Sequence, residues 1–211
     1  MTVIDELLRK YPIISDQVDA DDVRTVLVEL EKTLGQKVPG DIVEFGCYIG
    51  TTSLFIRRLL DLRQENRTFH VYDSFEGLPE KSREDESPAG TNFQAGKLAV
   101  SKKQLTREFQ KAGLKLPIIH KGWFDQLSSG DVPEQIAFAF LDGDFYESIK
   151  SSLKLVLPRM QPGSTIVIDD YAREALPGVA RAVQELHLST NDVHGLGVIR
   201  VAGTKTRDLF T

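Results

Sequence analysis

Two unbroken apolar runs stand out, Ile136–Leu141 and residues 165–168. Each ends in carboxylates: Asp142 and Asp144 after the first, Asp169 and Asp170 after the second. A run without polar alternation predicts a strand buried on both faces, as in a parallel sheet covered by helices. Three more runs read as strands: Asp41-Ile42-Val43-Glu44-Phe45, Phe69-His70-Val71-Tyr72 and Pro117-Ile118-Ile119-His120. Between them lie helical patterns. Val23, Val26, Leu27, Leu30 and Leu34 share one face of a helix over 21–34 that Asp19 or Asp21 could cap. A second helix follows the first strand through Leu54, Phe55, Ile56, Leu59 and Leu60. A third opens on the capping-box pattern Ser101-x-x-Gln104 and stops at Gly113, and a fourth carries Ile149, Leu153, Val156 and Leu157 until Pro158 and Pro162-Gly163. A fifth carries Val179, Val183 and Leu186, and residues 193–201 read as one or two terminal strands. Strand–helix units of this kind make an α/β, doubly wound sheet.

In such sheets ligands bind beyond the carboxyl ends of the strands. That edge collects Glu44 and the turn Gly46-Cys47-Tyr48-Ile49-Gly50-Thr51, then Asp73, then Asp142 and Asp144, then Asp169 and Asp170. A glycine turn between strand and helix admits a ligand close to the backbone and aims helix N–H groups at it. The spacing Gly-x-x-x-Gly is not the dinucleotide fingerprint, and no phosphate-loop motif is present. Glu44 is suited to an ammonium group, and Asp73, at the next strand end, to ribose hydroxyls. Residues 80–100 carry no periodicity and predict a lid loop over the edge.

Composition narrows the chemistry. The chain has 211 residues, a formal charge of −5 and no basic cluster, which argues against nucleic acid as partner. Cys47 is the only cysteine, so neither disulfides nor a thiolate metal site is expected. No stretch has the length of a membrane span and the first residues do not form a signal peptide, so a cytoplasmic protein without membrane partner is expected. The region 1–37 reads as an N-terminal helical appendage, serving either as sheet cover or as a contact between two copies in a homodimer. No Gly-x-Ser-x-Gly elbow supports a hydrolase.

The strings Val38-Pro39-Gly40-Asp41-Ile42-Val43-Glu44-Phe45-Gly46, Asp73-Ser74-Phe75-Glu76-Gly77-Leu78-Pro79, Leu141-Asp142-Gly143-Asp144-x-Tyr146-x-Ser148 and Asp169-Asp170-Tyr171 resemble the macrocin O-methyltransferase (TylF-type) family. The resemblance implies a Rossmann-like class I methyltransferase fold over 38–211, mostly parallel with an antiparallel C-terminal strand. It implies a metal-dependent O-methyltransferase of antibiotic biosynthesis that carries a methyl group from S-adenosylmethionine to a sugar hydroxyl of a small natural product. Glu44, Gly46, Tyr48, Gly50 and Thr51 would surround the methionine part of the cofactor, Asp73 and Ser74 the ribose, and Gly122 and Trp123 the adenine. Asp142, Asp169 and Asp170 would ligate Mg²⁺, with Asp142 also beside the cofactor and Asp144 as catalytic base.

The chemistry agrees with that assignment. A hard cation with oxygen ligands lowers the pKa of a bound hydroxyl, and four neighbouring aspartates repel one another without one. Asp144 either takes the proton or caps the following helix. Asp169 and Asp170 reach one ion only if the strand has turned before them. Rival readings are a catechol-type methyltransferase, a hydroxylase on the same scaffold, and a cofactor-binding partner protein without turnover. The catechol type resembles Asp-His-x-Lys where this chain has Asp142-Gly143-Asp144-Phe145.

Overall fold

Each apolar run becomes a strand in the computed structural model, which describes residues 1–202. The strands are β1 (Asp41–Phe45), β2 (Phe69–Asp73), β3 (Ile118–Lys121), β4 (Ile136–Leu141), β5 (Met160–Ile168), β6 (Asn191–Val193) and β7 (Leu196–Arg200). They form one sheet in the order β3-β2-β1-β4-β5-β7-β6. β1 to β5 are parallel, and β7 joins β5 antiparallel, carrying β6 on its outer side. Residues 203–211 of the expected 38–211 domain lie outside the described residues.

Strand side chains divide between the two faces with period two. Ile42, Val71, Phe138, Phe140 and Val167 join one apolar cluster, which is covered by α1 (Val3–Lys10), α2 (Ala20–Gly35), α3 (Thr51–Leu62) and α4 (Lys102–Ala112). Val43, Phe45, Ala139, Leu141, Ile166 and Ile168 join the other, under α5 (Tyr146–Val156) and α6 (Pro177–Gln184). The sheet is therefore doubly wound. Every residue of β4 is at most 1% exposed, as its unbroken apolar run requires.

The N-terminal α2 packs on α3, β4 and β5 and so covers the sheet. Asp19 caps it in a full capping box with Asp22. Ser101 likewise caps α4, but only half of the expected box forms: Ser101 Oγ accepts from Gln104 N. β5 begins earlier than the sequence suggests. Met160 pairs with Ile136, a register shift absorbs the next residues, and Pro162-Gly163 lie inside the strand. A proline is tolerated at such an irregularity, where no ladder hydrogen bond is needed from it. β3 is an edge strand and only partly covered. Among the described residues no helix is long and apolar enough to cross a membrane.

The chain winds from β1 outward to β3, then returns to β4 on the other side of β1. The strand order reverses between β1 and β4, and a crevice opens beyond their carboxyl ends.

Candidate functional site

That crevice holds a cavity of about 370 Å³, within the usual range for small-molecule sites. Its floor is made by the residues that follow β1, β2, β4 and β5. Of the expected cofactor residues, Glu44, Gly46, Tyr48, Thr51, Asp73, Ser74, Trp123 and Asp142 line it, as do Asp144, Asp169 and Asp170. Gly50 and Gly122 do not line it. Gly50 is the left-handed residue that opens α3 (φ 90), and Gly122 donates its N–H to the Asp73 carbonyl at 3.0 Å. Both shape the backbone rather than the wall.

The β1 turn is packed closely. Gly46 has φ 85, and a Cβ there would stand 1.8 Å from the Asp142 carbonyl oxygen. Only glycine fits. Gly46 N donates to Tyr72 O at 2.8 Å and Asp142 N to Phe45 O at 2.7 Å, so the ends of β1, β2 and β4 are tied together. Asp73 anchors the turn further, taking Cys47 N on Oδ2 at 2.9 Å and Phe75 N on Oδ1 at 2.7 Å. Cys47 is buried beside Asp73 and Glu44; desolvation, then those two charges, push its thiol well above the usual range. It is a packing residue.

Glu44 is 1% exposed. Ser53 Oγ donates to its Oε2, while Oε1 is buried with no partner among the described residues. Burial pushes its carboxyl up to about 8; the Ser53 bond works against that and the Asp73 charge adds to it. Thr51 Oγ1 is likewise buried and unpaired. Unpaired buried polar atoms on a cavity wall mark where a ligand supplies the missing partner. Trp123 is set by the short turn Phe124–Gln126, which is held by an edge-to-face contact between Phe124 and Phe45 at 5.2 Å.

The aspartates form the opposite part of the floor. β5 stops at Ile168 and Asp170 has φ 55, so the chain has already turned where Asp169 and Asp170 project. Each of the four keeps some solvent contact through the cleft, yet desolvation is the largest influence on all of them. Asp142 and Asp169 are raised well above the carboxylate range by burial and then by neighbouring carboxylates. Burial followed by the Asp170 charge lifts Asp144 to about 7, against the pull of Arg173. Asp170 is raised less, because Arg173 binds its Oδ1 at 2.6 Å.

Asp144 also has a positive φ, 58. It does not cap α5: the N-cap is Phe145, and Tyr146 N is taken by Asp85. Among the described residues none hydrogen-bonds to the Asp144 carboxylate.

Among the described residues no three acidic, histidine or cysteine side chains stand close enough, as oriented, to hold a metal ion. The donor set nevertheless suits a hard divalent cation. The four aspartates offer carboxylate oxygens, they repel one another, and among the described residues Arg173 is the one cationic side chain lining the cavity.

The site also contains residues that sequence patterns do not announce. Ser15, Gln17 and Val18 reach the cavity from the segment before α2; Phe93 and Leu98 reach it too, from residues 80–100, the segment expected as a lid loop. That segment is fastened at several points. Asp85 is fully buried, Ser87 Oγ donates to Glu174 O at 2.8 Å, and Lys81 Nζ to Gly90 O at 2.6 Å. Arg173, three residues past Asp170, also lines the cavity and pairs with Asp170.

The family model for macrocin O-methyltransferases (TylF) matches residues 19–204. A 4'-O-methyltransferase of Streptomyces olivaceus, named for 8-demethyl-8-(2,3-dimethoxy-alpha-L-rhamnosyl)-tetracenomycin-C, is 36% identical over 152 residues, 69% of this chain and 58% of the relative. The mycinamicin III 3''-O-methyltransferase of Micromonospora griseorubida is 32% identical over 178 residues, 79% of this chain and 66% of the relative. The chain thus spans less than two thirds of the length of either. The solved structure of the O-methyltransferase NovP superposes with a TM-score of 0.77 at 24% identity, covering 88% of this chain and 81% of that one.

Proposed function

The chain belongs to the macrocin O-methyltransferase (TylF) family, and we propose that it methylates a sugar hydroxyl of a small natural product, using S-adenosylmethionine and Mg²⁺. The observation that carries this reading is a single cavity lined both by the unpaired Glu44 oxygen and by four mutually repelling aspartates. The first relative is named for a rhamnosyl compound and the second for position 3'' of mycinamicin III, and the rhamnosyl name supports a sugar hydroxyl as acceptor.

When bound, the sulfonium supplies an electrophilic methyl group and the cation lowers the pKa of a hydroxyl it touches. The chain's own residues do the rest. Glu44, once ionised, pairs its free oxygen with the cofactor's ammonium, and Asp73 faces the ribose hydroxyls. Trp123 offers a flat surface to the adenine. Asp142, Asp169 and Asp170 would hold the cation by hard oxygen donors. Asp144 would take the proton of the acceptor hydroxyl. Without a metal, burial and the Asp170 charge lift the Asp144 carboxyl to about 7, and a neighbouring cation would favour the ionised form that a base needs.

The test is isothermal titration of the protein with S-adenosylhomocysteine, with and without Mg²⁺. Binding in the micromolar range is expected; absence of binding under both conditions would end the methyltransferase reading.

A further inference from the structure

We propose that Asp85 is a positioning residue, which fixes the loop carrying Asp144 by capping α5 from the segment that walls the cavity. Its catalytic consequence rests on the methyltransferase reading given above; the structural coupling does not.

Helix α5 begins without a local cap. Its N-cap residue is Phe145, whose side chain has no acceptor, and the first N–H groups of a helix need one. Tyr146 N finds it in Asp85 Oδ1 at 2.7 Å, although 61 residues separate the two in sequence. The other oxygen, Oδ2, accepts from Ser82 N at 2.9 Å and from Ser82 Oγ at 2.7 Å. Three donors and the positive end of a helix together satisfy a fully buried carboxylate. Helix α6 closes on the same atom: a Cβ at Gly178 would stand 1.8 Å from Asp85 Oδ1.

The loop between β4 and α5 is therefore pinned at both ends. Upstream, Asp142 N bonds Phe45 O; downstream, Tyr146 N bonds Asp85; between them Phe145 N bonds Gly143 O at 2.6 Å. Asp144 sits inside this span with a left-handed backbone, a conformation that a non-glycine residue keeps only when its surroundings hold it. Asp85 supplies the downstream hold. It belongs to the same segment as Phe93 and Leu98, which line the cavity, so one carboxylate joins the wall of the site to its base.

The experiment compares Asp85→Ala, Asp85→Asn and Ser82→Ala. Three readouts are used: amide hydrogen exchange over 143–150, S-adenosylhomocysteine affinity, and methyl transfer to p-nitrophenyl α-L-rhamnopyranoside as probe acceptor. Asp85→Ala should raise exchange at Tyr146 and its neighbours at least tenfold. It should lower kcat by on the order of tenfold, leaving KM for S-adenosylmethionine and S-adenosylhomocysteine affinity within about twofold. Asp85→Asn keeps an oxygen for Tyr146 N and should restore most of both. Ser82→Ala loosens the segment without touching that bond, so it should lower Tm yet leave kcat and exchange over 143–150 near the parent values. Equal losses in Ser82→Ala and Asp85→Ala would overturn the proposal, as would parental exchange in Asp85→Ala. If Asp85→Ala does not fold, the parent chain still decides the coupling: a Tyr146 N–H that exchanges as freely as an uncapped helix start would overturn it. If the parent chain binds no S-adenosylhomocysteine and turns nothing over, the functional reading fails, while the exchange data still decide the coupling.

Discussion

Ser53 Oγ donates to Glu44 Oε2, and Oε1 of this cavity-lining residue is buried with no partner among the described residues. With its carboxyl pushed up to about 8 by burial, Glu44 is largely protonated at neutral pH in the ligand-free protein. An ammonium partner favours the charged form. Binding of S-adenosylhomocysteine at pH 7 should therefore release a proton from Glu44. Calorimetry in buffers of contrasting ionisation enthalpy reads that release directly. Glu44→Gln should abolish it and weaken binding roughly tenfold to a hundredfold.

Stability follows the same group with a definite sign. The folded value, about 8, lies above the ordinary 4.5. The folded chain therefore holds this proton more tightly, and the resulting stability is fully present below about 4.5 and lost as pH rises through 8. Thermal melts of the ligand-free protein should fall over this range. The fall should be smaller in Glu44→Gln; an identical pH slope in both would refute the assignment.

Asp142→Ala should abolish Mg²⁺-dependent methyl transfer while leaving S-adenosylhomocysteine affinity within a few-fold. Removing one of several mutually repelling buried carboxylates also relieves strain on the rest, so its Tm without metal should match or exceed that of the parent chain. Full activity in this variant, or in chelator, would contradict the metal's role.

Gly46→Ala tests the packing of the β1 turn. It forces a side chain into a left-handed backbone and against the Asp142 carbonyl. The cost should be about 3 kcal/mol or more, visible as a lowered Tm or failure to fold. Gly195→Ala is the matched control: its φ of 90 is close to the 85 of Gly46, but nothing lies within 4 Å of the new carbon.

Charge at the rim predicts which acceptors are refused. Glu80, Asp125 and Glu147 add to the acidic floor, and Arg173 is already held by Asp170. A nucleoside diphosphate should therefore bind poorly to the protein loaded with S-adenosylhomocysteine. Competition by thymidine diphosphate in the titration checks this, and micromolar binding would contradict it.

The strands and the acidic ends of β4 and β5 were legible because a strand buried on both faces writes an unbroken apolar run. The start of β5 was not, since Pro162-Gly163 look like a terminator and only the partner strand reveals the register shift. The aspartates were legible as a group, but the freedom of Asp144 from capping was not. Its alternative role was taken by Asp85, a residue indistinguishable in sequence from its acidic neighbours Glu84 and Glu86. Long-range caps leave no periodic trace. Nor did Ser15, Gln17 and Val18 signal their place at the cavity, because a segment that wraps an edge obeys no repeat.

The contact between Gly46 and the Asp142 carbonyl has a kinetic corollary. The cofactor turn and the start of the aspartate loop share one surface with no slack, so neither adjusts alone. Filling the Glu44 side first would bear on Asp142 through that contact before an acceptor arrives. Initial-rate patterns with product inhibition should accordingly show sequential addition with S-adenosylmethionine leading, and S-adenosylhomocysteine leaving last.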